Sequence, residues 1–231
     1  MVRKAPGDKD AKLKLAECEK IVKRVEFFRA IEIGDEPSAA EGLDLDSMVV
    51  DADYDGAHLG KEMTPEFISD MINRFKNGKK LHKKYVYQII LAVKSIVYDE
   101  PTMVEMEVGD DTHLTVCGDT HGNPPQINLV ANANATTLVG QFFDLMELFR
   151  LNGYPTEKHQ YLFNGDFVDR GSWSTEIALL LYAYKWLHPS AFFINRGNHE
   201  TDDMNRAYGF EGECKAKYNG RISQNPDCIH S

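Results

Sequence analysis

Three short apolar runs in this chain each stop at a glycine-bounded polar cluster, and that repeated pattern constrains the fold more than any other feature. "THLTVCGDTHG" ends on Asp119 and His121, "QYLFNGDFVDRG" on Asp166, Asp169 and Arg170, and "AFFINRGNHE" on Asn198 and His199. Between them lie "GQFFDLMELFRLNG", stopped by Asn-Gly, and "SWSTEIALLLYAYKWLHP", stopped before Pro189, both with the spacing of helices. Strand, helix, strand, helix, strand at these intervals predicts right-handed crossovers and parallel neighbouring strands. The carboxyl ends of such strands border the crevice where ligands bind, so the three clusters are expected to converge.

Converged, those residue types have a chemistry. Asp119 and His121 are two apart, which in extended backbone points both side chains to one side, where they can grip one metal ion. Asp166 adds a carboxylate able to bridge two cations, and Asn198 adds a neutral oxygen. Mixed oxygen and imidazole donors suit manganese, iron or zinc better than thiol-seeking ions. Two such ions would activate a water and clamp the oxygens of an in-line phosphoryl transfer. Arg170 offers a planar fork to phosphate oxygens, with Asn198 beside it. His199 is placed to give a proton to the leaving alkoxide, and Asp169 to orient its imidazole and keep it protonated. Each cluster alone reads as an ordinary turn, a surface Asp–Arg pair or a helix cap; three at successive strand ends read as a metal-assisted phosphate hydrolase. Glu200 and Asp203 are expected to be structural, and His113, His159 and His188 to face solvent.

The rest of the chain sets bounds. A length of 231 residues and 42% hydrophobic content suffice for a packed core. The net charge of −10 excludes non-specific nucleic-acid binding, which needs a basic face. Four cysteines without a C-x-x-C pair suggest a reducing compartment rather than a disulfide framework. The N-terminus lacks a signal-peptide core, and "YVYQIILAVKSIVY" carries Lys94 and is too short to span a bilayer, so no membrane partner is expected. Residues 8–33 read as an amphipathic helix and the acidic, glycine-bearing stretch from 34 to 60 as a linker. "TPEFISDMINRFKNG" and "KLHKKYVYQIILAVKSIVYDEP" follow as two further helices.

"GDTHG", "GDFVDRG" and "RGNHE" resemble the three signatures of the serine/threonine phosphoprotein phosphatase family, and "KKLHKKYVYQI", "YLFNGDFVDRGSWSTE" and "NRGNHETDDMNRAYGFEGECKAKY" extend the likeness. Residues 8–31 resemble the last helix of a tetratricopeptide domain. The resemblance implies an α/β fold, a calcineurin-like metallophosphoesterase sheet layered with helices, incomplete at the C-terminus. It implies domains at 1–33 (the terminal repeat helix), 34–60 (the linker) and 61–231 (a partial catalytic domain). It also implies metal ligands at Asp119, His121, Asp166 and Asn198, phosphate binding at Arg170, and a proton donor at His199 supported by Asp169. The implied substrates are phosphoserine and phosphothreonine in other proteins, in the cytoplasm and also the nucleus. The alternatives are an impaired fragment acting only by metal, phosphate or partner binding, and a phosphoesterase of small phosphates, against which the helical lead-in and "GFEGECKAKY" argue.

Three departures from the family pattern qualify this. The chain begins at the end of a repeat domain, so the chaperone docking that such repeats support is not expected. "NPPQINLVANANATTLVG", residues 123–140, has no family counterpart and separates the first cluster from its helix. The hypothesis is a retained intron translated in frame, against a genuine loop at the mouth of the site; a spliced transcript lacking these codons is the discriminating observation. After Tyr218 the likeness gives way to "NGRISQNPDCIHS", residues 219–231, where the family supplies two further histidine ligands, another arginine and a second sheet. The second metal site is therefore expected to be incomplete, and the first sheet to leave an apolar face open.

Overall fold

The computed structural model describes residues 43–118, 142–169 and 171–218, together with Lys14, Cys18 and Lys20. Two compact units are present, Met1–Ser38 and Ala39–Ser231. In the first, Lys14, Cys18 and Lys20 are helical and exposed. The remaining description concerns the second.

Its first helix, α1 (Pro65–Lys76), starts where the sequence signals a start. Thr64 is extended and its Oγ1 accepts the Phe67 N–H at 3.2 Å, while Pro65 supplies a residue with no N–H to leave unpaired. Gly78, at φ +66°, turns the chain away beyond its end. Helix α2 (Lys83–Asp99) is capped by the His82 side chain, which accepts the Lys84 N–H, and stops before Pro101. The stretch expected as a linker packs on these helices from residue 43 onward. Asp70 accepts the Ala57 N–H at 2.8 Å, the Arg74 guanidinium lies 4.4 Å over the Tyr54 ring and 2.6 Å from Asp55, and Leu59 and Met63 are buried. Its acids hid a strap whose apolar residues are spaced too irregularly for a helix or a strand.

Strands β1 (His113–Cys117), β2 (His159–Phe163) and β3 (Phe192–Ile194) form a parallel sheet in that order. Helix α3 (Phe142–Asn152) precedes β2 and helix α4 (Ser174–Leu187) joins β2 to β3, as the alternating pattern predicts. Two short helices follow, α5 (Asp202–Tyr208) and α6 (Phe210–Tyr218), separated by Gly209 at φ +111°. The sequence reading contained neither helix, because seven and nine residues carry too few turns to display an apolar stripe.

Helix α4 is the centre of the unit: α1, α2, α3, α6 and β3 all pack against it, and every residue from Ser174 to Lys185 is buried. Each fully buried leucine of Leu179–Leu180–Leu181 contributes about 1.5–3 kcal/mol by leaving water. The two charges in this stretch are paired. Lys185 donates to Glu100 at 2.5 Å and to the Pro189 carbonyl at 2.9 Å, and Glu176 receives Lys217 of α6 at 2.6 Å. Glu213 of α6 accepts the Ser174 and Thr175 N–H groups at 3.3 and 2.8 Å, capping α4 from another helix.

The sheet is two-faced. Thr115, Cys117, Tyr161, Phe163 and Phe192 are buried, whereas Leu162 and Phe193 are half-buried and Val116 is 40% exposed. Thr102, Val104 and Met106 lie against that second face around a cavity of about 200 Å³. The expected apolar face is therefore partly covered by the segment after α2. His159 departs from its expected solvent exposure: it is half-buried, stacks on Tyr161 and pairs with Thr115 Oγ1 at 2.8 Å.

Candidate metallophosphatase site

Register decides where the polar clusters stand. Cys117 pairs with Phe163 and Phe163 with Ile194, so the three strands end level and their loops leave side by side. The Asn164 N–H reaches the Cys117 carbonyl at 2.9 Å and the Asn195 N–H the Phe163 carbonyl at 2.7 Å, carrying the ladder one step into the loops. Of the expected site residues, Asp166, Asp169, Asn198 and His199 are among the described ones and come together here. Asp119, His121 and Arg170 lie outside the described residues, as do 123–140 and 219–231.

His199 and Asp169 form a buried pair, both 1% exposed, with Nδ1 2.9 Å from Oδ2. The other Asp169 oxygen accepts the Phe210 N–H at 2.9 Å, so the carboxylate is held from two sides and the start of α6 is tied to it. Tyr208 stands edge-on to the imidazole, ring centroids 5.2 Å apart. With Nδ1 on Asp169, the ring is fixed and Nε2 is the nitrogen directed away from that carboxylate. The His199 N–H in turn donates to Asp166 Oδ1 at 2.7 Å, which joins the expected proton donor to the expected bridging ligand through the backbone.

Both aspartates have left-handed backbone, Asp166 at φ +52° and Asp169 at φ +68°. Asp tolerates this region better than most residues, but each instance still costs on the order of 1 kcal/mol, and such strain gathers at functional sites where packing enforces it. For Asp166 the enforcement comes from two glycines. A Cβ on Gly165, itself at φ +86°, would lie 2.3 Å from the Gly197 nitrogen, and one on Gly197 would lie 2.3 Å from Asp166 Oδ1. The loops touch backbone to backbone.

Glu200 fills the junction between them. Its Oε2 accepts the Asp166 N–H at 2.7 Å and the Gly197 N–H at 2.8 Å, and its Oε1 the Phe167 and Val168 N–H groups at 2.9 and 3.3 Å. Burial pushes its carboxyl above the usual carboxylate range, against the downward pull of the amides. The sequence reading assigned Glu200 a structural part; the structure specifies that part as the link between the second and third clusters. Nothing but its place in "GNHE" signals this in the sequence.

Among the described residues, no three or more His, Cys, Asp or Glu side chains gather in a group able to hold a metal ion. The Asp166 carboxylate and the Asn198 amide, which is exposed, are oxygen donors of the kind that divalent cations accept, so the described part of the donor set fits such an ion.

A family model described as calcineurin-like phosphoesterase matches residues 112–228, just over half of the chain. The chain belongs to the calcineurin-like phosphoesterase family. That family implies divalent metal ions. A second model, the PPP5 TPR repeat region, matches residues 15–105. This corrects the expectation that the repeat domain is missing, because the match runs through the strap and both α1 and α2, which periodicity alone shows only as amphipathic helices. The ground for excluding chaperone docking falls with it.

Similar proteins include serine/threonine-protein phosphatase T of Aspergillus oryzae, 66% identical over 96% of this chain and 43% of its own length. Human serine/threonine-protein phosphatase 5 is 46% identical over 96% of this chain and 41% of its own. A solved Saccharomyces cerevisiae protein serine/threonine phosphatase, described as similar to human phosphatase PP5, superposes with a TM-score of 0.62 at 48% identity, over 72% of this chain and 49% of that one. The chain thus spans less than half the length of the curated relatives it matches. Among the described residues no helix is long and apolar enough to cross a membrane.

Proposed function

We propose that this chain acts as a protein serine/threonine phosphatase, hydrolysing phosphoserine and phosphothreonine side chains of other proteins. The observation that carries the reading is the buried His199–Asp169 pair, 2.9 Å apart, joined through the His199 N–H to Asp166. The names of the relatives, serine/threonine-protein phosphatases T and 5, support the substrate class.

In this reading Asp119, His121, Asp166 and Asn198 hold divalent ions of the manganese, iron or zinc class. Such ions, when bound, lower the pKa of a coordinated water and neutralise charge on the phosphoryl group. Arg170 and Asn198 bind the phosphate oxygens. Asp169 fixes the imidazole, and His199 delivers a proton from Nε2 to the departing serine or threonine oxygen. An intracellular, reducing location in cytoplasm and nucleus goes with it, supported by free Cys18, Cys117 and Cys214.

The test is phosphate release from a phosphoserine peptide in Mn²⁺, with Asp166→Asn beside the unmodified chain. Turnover that falls at least about 100-fold in the variant supports the reading. A folded chain no more active than Asp166→Asn overturns it and leaves metal or partner binding as the role. Preference for a small phosphomonoester over the peptide would instead favour the small-phosphate alternative.

A further inference from the structure

A buried carboxylate normally serves one segment of chain. Glu200 serves two that are distant in sequence: residues 166–168 after β2 and Gly197 after β3. It is 1% exposed, so water cannot stand in for it. The loops it joins carry Asp166 on one side and Asn198–His199 on the other, and among the described residues the backbone ladder between them ends where the Asn195 N–H meets the Phe163 carbonyl.

We propose that Glu200 is a positioning residue whose carboxylate, by accepting the amides of Asp166, Phe167, Val168 and Gly197 together, sets Asp166 against Asn198 and His199. The assignment rests on the phosphatase reading for its consequence and on hydrogen-bond geometry alone for its existence. Four N–H groups converge on two oxygens, beside the close Gly165–Gly197 backbone contact. With the junction formed, the Asp166 backbone is held at positive φ, and its Oδ1 faces the His199 N–H. Without it, four donors would lose their acceptor at once, three of them buried and that of Gly197 part-buried, and the loops would be left to the His199 contacts with Asp166 and Asp169. Replacing the carboxylate by an amide is sufficient, because an NH₂ group on either side meets two N–H donors head-on. Partners that orient metal ligands from behind typically govern about 10–100-fold of the affinity for the ion.

The experiment uses the whole 231-residue chain, as wild type and Glu200→Gln, with Lys185→Met as a destabilised control whose hydrogen-bond partners are Glu100 and Pro189. Amide hydrogen exchange is read at two N–H groups that Glu200 does not accept: that of His199, its chain neighbour, which goes to Asp166, and that of Phe210, which goes to Asp169. In Glu200→Gln both are expected to exchange at least about 10-fold faster, together with residues 166–168 and 197, while Lys185→Met leaves them protected relative to its core. A mere packing role would speed only the amides that Glu200 itself accepts and that of the adjoining His199, so a protected Phe210 amide overturns the proposal. In the wild type, the amides of 166–168 and 197 are expected to open as one unit with one denaturant dependence. Independent opening overturns the proposal even if Glu200→Gln fails to fold. Mn²⁺ titration of the folded chains is expected to show affinity about 10–100-fold weaker in Glu200→Gln, and unchanged affinity also overturns it. A wild-type chain that takes up no Mn²⁺ would overturn the phosphatase reading instead, and the exchange data would then decide the clamp by themselves.

Discussion

Gly165 and Gly197 meet backbone to backbone across the ends of β2 and β3, so close that a methyl group on the first would sit 2.3 Å from the nitrogen of the second. The obstacle is main chain on both sides, which cannot rotate away as a side chain would. Gly165→Ala must also hold a Cβ at φ +86°. It is expected to lower stability by at least about 2 kcal/mol, combining backbone strain with overpacking. Urea denaturation checks this, and a midpoint equal to that of the wild type would remove the case for a tight junction.

The Asp169 carboxylate accepts from two donors, the His199 ring and the Phe210 N–H. Asp169→Asn can satisfy one of them and must turn an NH₂ toward the other. The expected result is a fall in kcat of about 100-fold or more with a smaller change in KM, because the proton donor is misoriented while phosphate contacts remain. Steady-state kinetics on a phosphopeptide, with circular dichroism to confirm folding, decides it; a raised KM with kcat unchanged would assign Asp169 to binding.

Lys217 reaches Glu176 at 2.6 Å, Glu213 at 2.9 Å and the Ser172 carbonyl at 2.7 Å, fastening α6 to the start of α4. Burial pushes the Glu176 carboxyl up by more than Lys217 draws it down, so ionised Glu176 is a charge that the fold tolerates only with its partner. Lys217→Met is therefore expected to cost about 3 kcal/mol, by stranding two carboxylates, and Lys217→Met with Glu176→Gln to recover part of it. A thermal-melt double-mutant cycle that shows simple additivity would contradict the coupling.

Asp55, held by Lys79 and Arg74, titrates at about 2 rather than its ordinary 3.8. A depressed carboxylate contributes stability that is fully present above its unfolded pKa and lost as pH falls through the folded one. The gap in melting temperature between wild type and Asp55→Asn is thus expected to be constant above about pH 5 and to close between about pH 4 and 2. Salt should narrow it, since the Asp55 and Lys79 side chains are exposed. A gap independent of acid would show that the strap is not fastened at this point.

The β1, α3, β2, α4, β3 order was legible in the sequence because it is written in local terms. Leu, Tyr and Ala at helical spacing in "STEIALLLYAYKWL", and β-branched or aromatic residues before a glycine turn in "HLTVC" and "HQYLF", need no distant partner to be read. The same holds for Asp166, Asp169, Asn198 and His199, whose positions after strand ends imply a shared crevice. Helices α5 and α6 escaped because they are short, and the strap from 43 to 63 because its packing follows α1 and α2 rather than a period of its own. The sequence by itself therefore determined which residues end the strands and the chemistry they carry. Only the tertiary structure decided that Glu200 joins two loops, that Glu213 caps a helix 38 residues earlier, and that Gly165 needs Gly197. The physical reason is that a hydrogen-bond acceptor is indifferent to how far along the chain its donor lies. Register alone turns level strand ends into neighbours, and only then do the partners come within bonding distance.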